Sequence, residues 1–483
     1  MENSPMHRRA FIKTMGSGGV LLAGGGMLQG CRQDPAKNYV GNKWWQQGYN
    51  TPVQAELDLT EFKVEGEIPV SLNGLYVRNG GNEKGGLPQH YFNGDGMLHG
   101  VWLEEGRVRR YRNRWVQTGI LGEGKTAGLA KEDNLSNTAI VHHGGKLLSL
   151  QEAGWPYEIN KDLSTKGPYN FDGDLTTVMT AHPKFDPDTG EMHFYGMDFL
   201  RNPYLTYWVA DAAGRIIKSV PIELPGSSMQ HDFQLTKNYA LFLDMPIVFS
   251  LAEAITGGFP YRWQGEEYGA RLGVLPRSGG SQDIRWFEID VGFSFHTMNA
   301  WEDPDRPGHI TLMAEWTESM WKESTFDLHS VATPRRWEID LTRGRVREEQ
   351  WSDLPAAFGK VDDRFAGRPT RSGFFMRLAS ETEIVDAPWR FSGLERFDLS
   401  TGQHEGYVWP DHEVPAEFIF EPDGTDAEEG DGYFLGFVYD RRTEQSTLDI
   451  LHASNLPAGP VARIHLGTRV PLGFHGCFVR SIQ

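Results

Sequence analysis

The sequence predicts an all-β fold, a β-propeller, and three observations carry that prediction. First, from about Val53 onward the chain runs strand, turn, strand, with no long stretch of 3.6-residue periodicity. Second, one turn signature recurs. An apolar strand ends at Asp and a Gly follows within a few residues, as in Asp186-Pro187-Asp188-Thr189-Gly190, Asp211-Ala212-Ala213-Gly214, Asp340-Leu341-Thr342-Arg343-Gly344 and Asp398-Leu399-Ser400-Thr401-Gly402. The Asp side chain can cap such a turn, and Gly supplies a positive φ before the next strand. Third, 56 of 483 residues are Gly and 12 % are aromatic, which suits short strands and many hairpins. Repeated hairpins point to four-stranded blades around an axis, and the length holds about seven at roughly 40–50 residues each plus insertions. No Pro- or Ser-rich linker interrupts residues 51–483, which read as one domain. Leu251 to Ile255 and Leu354 to Phe358 are candidates for short helices, and a cap of loops and short helices over one face is expected.

Residues 1–31 read as an address rather than as part of the fold. His7-Arg8-Arg9-Ala10-Phe11-Ile12-Lys13 resembles a twin-arginine export signal. The apolar run from Met15 to Met27 is too short and too rich in Gly to span a membrane. Leu28-Gln29-Gly30-Cys31 resembles a lipobox, so the mature protein is expected in the periplasm, lipid-anchored at Cys31. Residues 32–50 read as a polar tether that docks at its end through Trp44 and Trp45. With Cys31 lipidated, Cys477 has no partner for an intramolecular disulfide. The net charge of -18 argues against a nucleic-acid partner.

Four histidines, far apart in the chain, share apolar, strand-like settings. They lie in Thr180-Ala181-His182-Pro183, Met229-Gln230-His231-Asp232, Phe295-His296-Thr297-Met298-Asn299 and Gly473-Phe474-His475-Gly476. A propeller sends one inner strand of each blade to its axis, so ligands distant in sequence converge there. Neutral imidazole suits Fe, Cu, Zn and Ni. Four of them on an octahedral ion leave two positions open and leave its charge uncompensated, so carboxylates are expected on the far ring N–H groups.

Further stretches accompany these four. Asn73-Gly74-Leu75-Tyr76-Val77-Arg78-Asn79-Gly80 is followed by His90-Tyr91-Phe92-Asn93-Gly94-Asp95-Gly96-Met97, then by Ser136-Asn137-Thr138-Ala139 and Leu150-Gln151-Glu152-Ala153-Gly154. With the histidine motifs, which occur in the same order, they resemble the carotenoid cleavage oxygenase family, which includes apocarotenoid and lignostilbene dioxygenases. The resemblance runs from about residue 45 to 483. It implies a seven-bladed propeller holding one Fe(II) per chain through His182, His231, His296 and His475. It also implies outer glutamates at Glu152 and at Glu417, where Glu417-Phe418-Ile419-Phe420-Glu421-Pro422 has Phe418 in place of the family's proline. A third glutamate of the family precedes a Gly-Arg by ten residues. Before Gly367-Arg368 that place holds Ala357, and Asp353 reaches it only if the loop shifts. One ligand is therefore expected to lean on water or on a different acid, where loss of such a partner costs ~10–100-fold in affinity or activity.

The implied chemistry is insertion of O2 across a conjugated C=C bond to give two carbonyl products, with no side-chain acid or base assigned. For a carotenoid or apocarotenoid substrate, Ile247 to Ile255 and Phe259-Pro260-Tyr261-Arg262-Trp263 resemble the family's apolar entrance, which makes Phe249, Phe259 and Trp263 substrate-facing candidates. An apolar mouth fits a lipid-anchored protein at a membrane surface. For a stilbene, Tyr111 and Lys131 are the candidates to hold a phenol. A reading of another class, a non-catalytic exported propeller that binds without metal, is motivated by Ala357.

Overall fold

The computed structural model describes residues 43–125, 130–256, 260–322, 331–379 and 390–480. The twin-arginine stretch, the lipobox with Cys31 and the candidate Phe259 lie outside the described residues. Among those described, seven antiparallel sheets of four to six strands form the blades, and an eighth sheet is a two-stranded hairpin. The expected propeller is the fold.

The blades follow the chain in order. Their innermost strands are Gly476–Arg480, Ala139–His143, Lys184–Phe185, Phe233–Leu235, Thr297–Glu302 and Ala356–Lys360, with Glu413–Pro415 and Ile419–Pro422 sharing that place in blade 7. Sequence pattern separates inner from outer positions. His309–Trp316, covered on both faces by neighbouring blades, is buried over nearly its whole length, as a sandwiched strand must be. Arg345–Gln350, at the rim of the same blade, is charged and partly exposed. Packing runs between blades: Leu241, Leu272 and Phe287 of blade 4 share a cluster with Leu312, Ala314 and Trp337 of blade 5.

The recurrent Asp–Gly turns form as their sequence requires. Asp186 Oδ1 accepts from the backbone N–H of Asp188 at 2.8 Å, Asp211 from Ala213 at 3.0 Å, Asp340 from Arg343 at 2.9 Å and Asp398 from Ser400 at 2.9 Å. The closing glycines, 190, 214, 344 and 402, have φ between 66° and 84°. Leu251–Thr256 is helical, inside the hairpin of Ile247–Phe249 and Tyr261–Trp263. Leu354 to Phe358 is not: Ala356 and Ala357 pair with Arg377 and Met376, so tertiary pairing overrides local helix preference. A short helix at Gly119–Glu123 was not expected from the sequence; Thr118 caps it by accepting from Leu121 N–H at 3.2 Å.

Both chain ends close the ring. Lys63–Gly66 adds to the rim of blade 7, and Gly476–Arg480 pairs with Gly74–Gly81 as the inner strand of blade 1. Trp44 and Trp45, at the end of the expected tether, are buried against Val414 and Tyr439 of blade 7.

Asn79 fastens the closure. Its backbone N–H donates to the His475 carbonyl at 3.1 Å, and its carbonyl accepts from Phe474 N–H at 2.9 Å. Its buried side chain lies 3.0 Å from each of Ser136 O, Ala139 O and Ser149 Oγ in blade 2. Asn79→Ala removes these bonds and takes from the Gly80 N–H its acceptor, Asn79 Oδ1 at 2.8 Å, and should cost ~1–3 kcal/mol, the cost of an orphaned buried polar group. Urea unfolding measures it, and a change below ~0.5 kcal/mol, the level of an indifferent surface substitution, contradicts this role.

Candidate metal centre

His182, His231, His296 and His475 each sit within two residues of the start of the inner strand of blades 3, 4, 5 and 1. Inner strands run the same way through a propeller, so their starts meet on one level of the axis. One ring nitrogen from each of the four lies within 4.8 Å of the others.

The outer faces of three rings are occupied by carboxylates. Glu152 Oε1 is 2.7 Å from His231 Nδ1, Glu315 Oε1 is 3.0 Å from His296 Nδ1, and Glu417 Oε1 is 3.0 Å from His475 Nδ1. A carboxylate on Nδ1 keeps the proton there and leaves the Nε2 lone pair free for a metal. The Nε2 side bears this out. His182 Nε2 is buried with no partner, and His231 Nε2 and His296 Nε2 face each other at 3.2 Å. Buried lone pairs aimed at one point can hold a cation between them. The donor set fits a divalent transition ion with neutral imidazole ligands.

The four predicted ligands and both predicted glutamates are thus brought together. The third outer carboxylate is present as well, but from an unexpected source. Glu315 is the penultimate residue of the second strand of blade 5, and its Oε2 accepts from Phe358 N–H at 2.8 Å. Ala357 itself packs in the core with Phe374 and Phe391. Asp353 bonds Gln350 at 2.7 Å and takes no part. The expectation that one ligand leans on water or on a different acid is met at His296, by Glu315. Its signal in the sequence was an acid inside the apolar run Ile310-Thr311-Leu312-Met313-Ala314-Glu315-Trp316, because buried Glu is rare unless it is partnered.

Burial holds His182 and His296 well below the ordinary imidazole range, helped by their neighbouring imidazoles. Burial also opposes charge on His231, but the Glu152 carboxylate outweighs it and raises that ring. Burial pushes the Glu315 carboxyl up to about 8. Burial acts the same way on Glu417, yet Lys360 and His475 hold it well below the carboxylate range. Asp232, next to His231, ties the ligand segments together. It receives Lys184 Nζ at 2.8 Å and Thr297 N–H at 2.8 Å, from the starts of the strands that follow His182 and His296.

Aromatic rings pack around the imidazoles. Phe358 stacks on His296 at 4.4 Å, and Phe295 meets His231 edge-on at 4.8 Å. Phe92, Trp321 and Phe391 extend this wall. Of the candidates for substrate contact, Trp263 packs against the same apolar cluster as Phe92, Phe295 and Trp321. Across the hairpin Phe249 pairs with Tyr261 and Trp263 with Ile247, and Phe249 lies against Phe199 at 5.5 Å. Tyr111 is fully buried between blades 1 and 7, its hydroxyl 2.9 Å from His99 Nδ1, so it serves packing and presents no free phenol clamp. Lys131 is exposed, its Nζ 5.8 Å from the Trp155 ring.

Comparison with known proteins places this seven-bladed propeller, whose four axial histidines could hold a metal, in a class of cleavage oxygenases. The family described as Retinal pigment epithelial membrane protein matches residues 50–480. A carotenoid cleavage oxygenase of Mycobacterium tuberculosis is 31% identical, over 89% of this chain and 96% of that protein. Isoeugenol monooxygenase of Pseudomonas nitroreducens is 32% identical over the same shares. The crystal structure of Pseudomonas brassicacearum lignostilbene dioxygenase superposes with a TM-score of 0.83 at 27% identity, covering 91% of this chain and 99% of that one. The chain belongs to the retinal pigment epithelial membrane protein family, the carotenoid cleavage oxygenases.

Glu315→Gln should weaken binding of Zn(II) or Co(II) to the metal-free protein by ~10–100-fold, read by chelator competition. The same variant gives a proton signature. Burial pushes the Glu315 carboxyl up to about 8, so a dication on His296 should draw a proton from it at pH 7. Apparent affinity therefore rises with pH up to about 8. At pH 7 the variant should release about one proton fewer on metal uptake than the parent. Equal affinity and equal proton release would remove Glu315 from the site.

Proposed function

We propose that this chain is a non-haem Fe(II) dioxygenase that cleaves a C=C bond of a conjugated polyene, a carotenoid or apocarotenoid, with O2 into two carbonyl products. The observation that carries the reading is the convergence of four imidazoles with a carboxylate on three of them. Bound ferrous iron supplies the activation of dioxygen. The residues supply the rest. His182, His231, His296 and His475 hold the ion through their inner nitrogens. Glu152, Glu315 and Glu417 fix the tautomer and aim of three rings. Phe295 and Phe358 keep water from the flanks of the imidazoles and offer flat apolar surfaces to a conjugated chain.

The polyene reading is favoured by the hairpin. Leu200 is 62% exposed and Leu251 51% exposed, beside the packed pair Phe199 and Phe249. An exposed apolar rim suits a substrate drawn from a membrane, and a lipid anchor at Cys31, after export by the twin-arginine route, holds the protein there. A second reading, cleavage of an aryl-alkene of the stilbene or isoeugenol kind, draws on the aromatic wall of Phe92, Phe295, Phe358 and Trp321 and on the relatives that act on such compounds. It lacks a phenol partner at Tyr111. A non-catalytic binding propeller loses its motive, because Glu315 supplies the carboxylate that Ala357 does not.

Iron-loaded protein mixed in air with a long apocarotenal in detergent should shift the polyene absorbance to the blue and yield two shorter carbonyl compounds by mass spectrometry. Turnover of a hydroxystilbene alone would move the assignment to the second reading. No turnover of either by protein carrying one iron would overturn the enzymatic reading.

A further inference from the structure

Blade 6 gives the axis no ligand, but it sends a cation there. Its inner strand ends at Lys360, whose Nζ lies 2.8 Å from Glu417 Oε1. That is the same oxygen that lies 3.0 Å from His475 Nδ1. The other two outer carboxylates are different. Among the described residues, Glu152 and Glu315 have no lysine or arginine in ion-pair contact. Lys184, the other ammonium near the axis, is matched by Asp232.

Lys360 is not pinned there by dry packing. It lines a cavity of about 310 Å3 that also borders Lys184, Gln234, Thr297, Asp363 and Gly476. Its side chain keeps 28% of its surface accessible. The residues after three of the ligands, Pro183, Thr297 and Gly476, line this cavity, so its inner end reaches the back of the site. A long, hydrated ammonium beside such a space stays on a buried carboxylate because the charges favour it.

We propose that Lys360 is a positioning residue that acts through Glu417 and His475 to hold the bound iron in its ferrous form. The inference rests on the reading of the four-histidine site as an iron site. Two effects act in the same direction. A fixed positive charge near the ion repels the ferric form more than the ferrous, since the ferric ion carries one more charge. The ammonium also draws on the oxygen that polarises His475, so this imidazole is a weaker donor than one leaning on an unshared carboxylate, and weaker donation disfavours the ferric ion. Resting iron that stays ferrous is the form that the proposed chemistry needs.

The test is an anaerobic redox titration of the iron-loaded protein with mediator dyes, followed by the ferric electron paramagnetic resonance signal. One electron passes from the reduced mediator to each ferric ion. Lys360→Met and Lys360→Gln should favour the ferric form at least about tenfold at a given potential, a fall of 59 mV for a one-electron couple. Lys360→Arg should stay at the parent value. Zn(II) affinity of the neutral variants should lie within ~10-fold of the parent or above it, because the carboxylate on His475 is retained. An unchanged potential in both neutral variants overturns the proposal. So does loss of Zn(II) binding in all three variants, which makes Lys360 structural support for Glu417. A parent protein that takes up no iron defeats the iron-site reading itself, a failure seen before any variant is compared.

Discussion

Ring closure is the constraint on which the rest depends. His475 reaches the axis only because the last described strand, Gly476–Arg480, is the inner strand of the first blade. The turn before it is fitted tightly: a Cβ on Gly473 would lie 2.6 Å from the Asn79 carbonyl and 2.9 Å from the Arg78 guanidinium. Buried Arg78 donates to the Pro471 carbonyl, and His475 N–H donates to the Thr138 carbonyl at 3.0 Å. The fourth ligand is therefore placed by contacts to blade 1 and to the entry of blade 2, hundreds of residues earlier.

Within that frame, electrostatics gives the four rings unequal surroundings. His231 leans on a lone carboxylate, His296 on an acid buried near the end of a strand, and His475 on a carboxylate shared with an ammonium. His182 has no carboxylate among the described residues and is held by its strand and by the Asp232–Lys184 link. Blades 1, 3 and 4 bring a ligand, blade 5 a ligand and a carboxylate, blades 2 and 7 a carboxylate and blade 6 a charge.

Much of this was legible in the sequence. The Asp–Gly turns marked the hairpins because their geometry is local: a capping oxygen and a positive φ need only neighbouring residues. The histidines were legible through the motifs around them, and Glu152 and Glu417 through family spacing. Glu315 was not, because its role depends on which strand end faces His296 across blade 5, and spacing before Gly367-Arg368 pointed to Ala357 instead. Lys360 was missed for the same reason: its partner lies in the next blade. Tyr111 was misread because its hydroxyl meets His99 diagonally on the adjacent strand, and Leu354 to Phe358 because pairing with Met376 and Arg377 decides its conformation.

The claim that most of the account rests on is the ligand set. X-ray absorption at the iron edge of anaerobically loaded protein tests it directly. The account predicts one ferrous ion per chain with four imidazole nitrogens and light-atom neighbours in the remaining positions. A sulfur neighbour, or a spectrum fitted by two or fewer imidazoles, would contradict it.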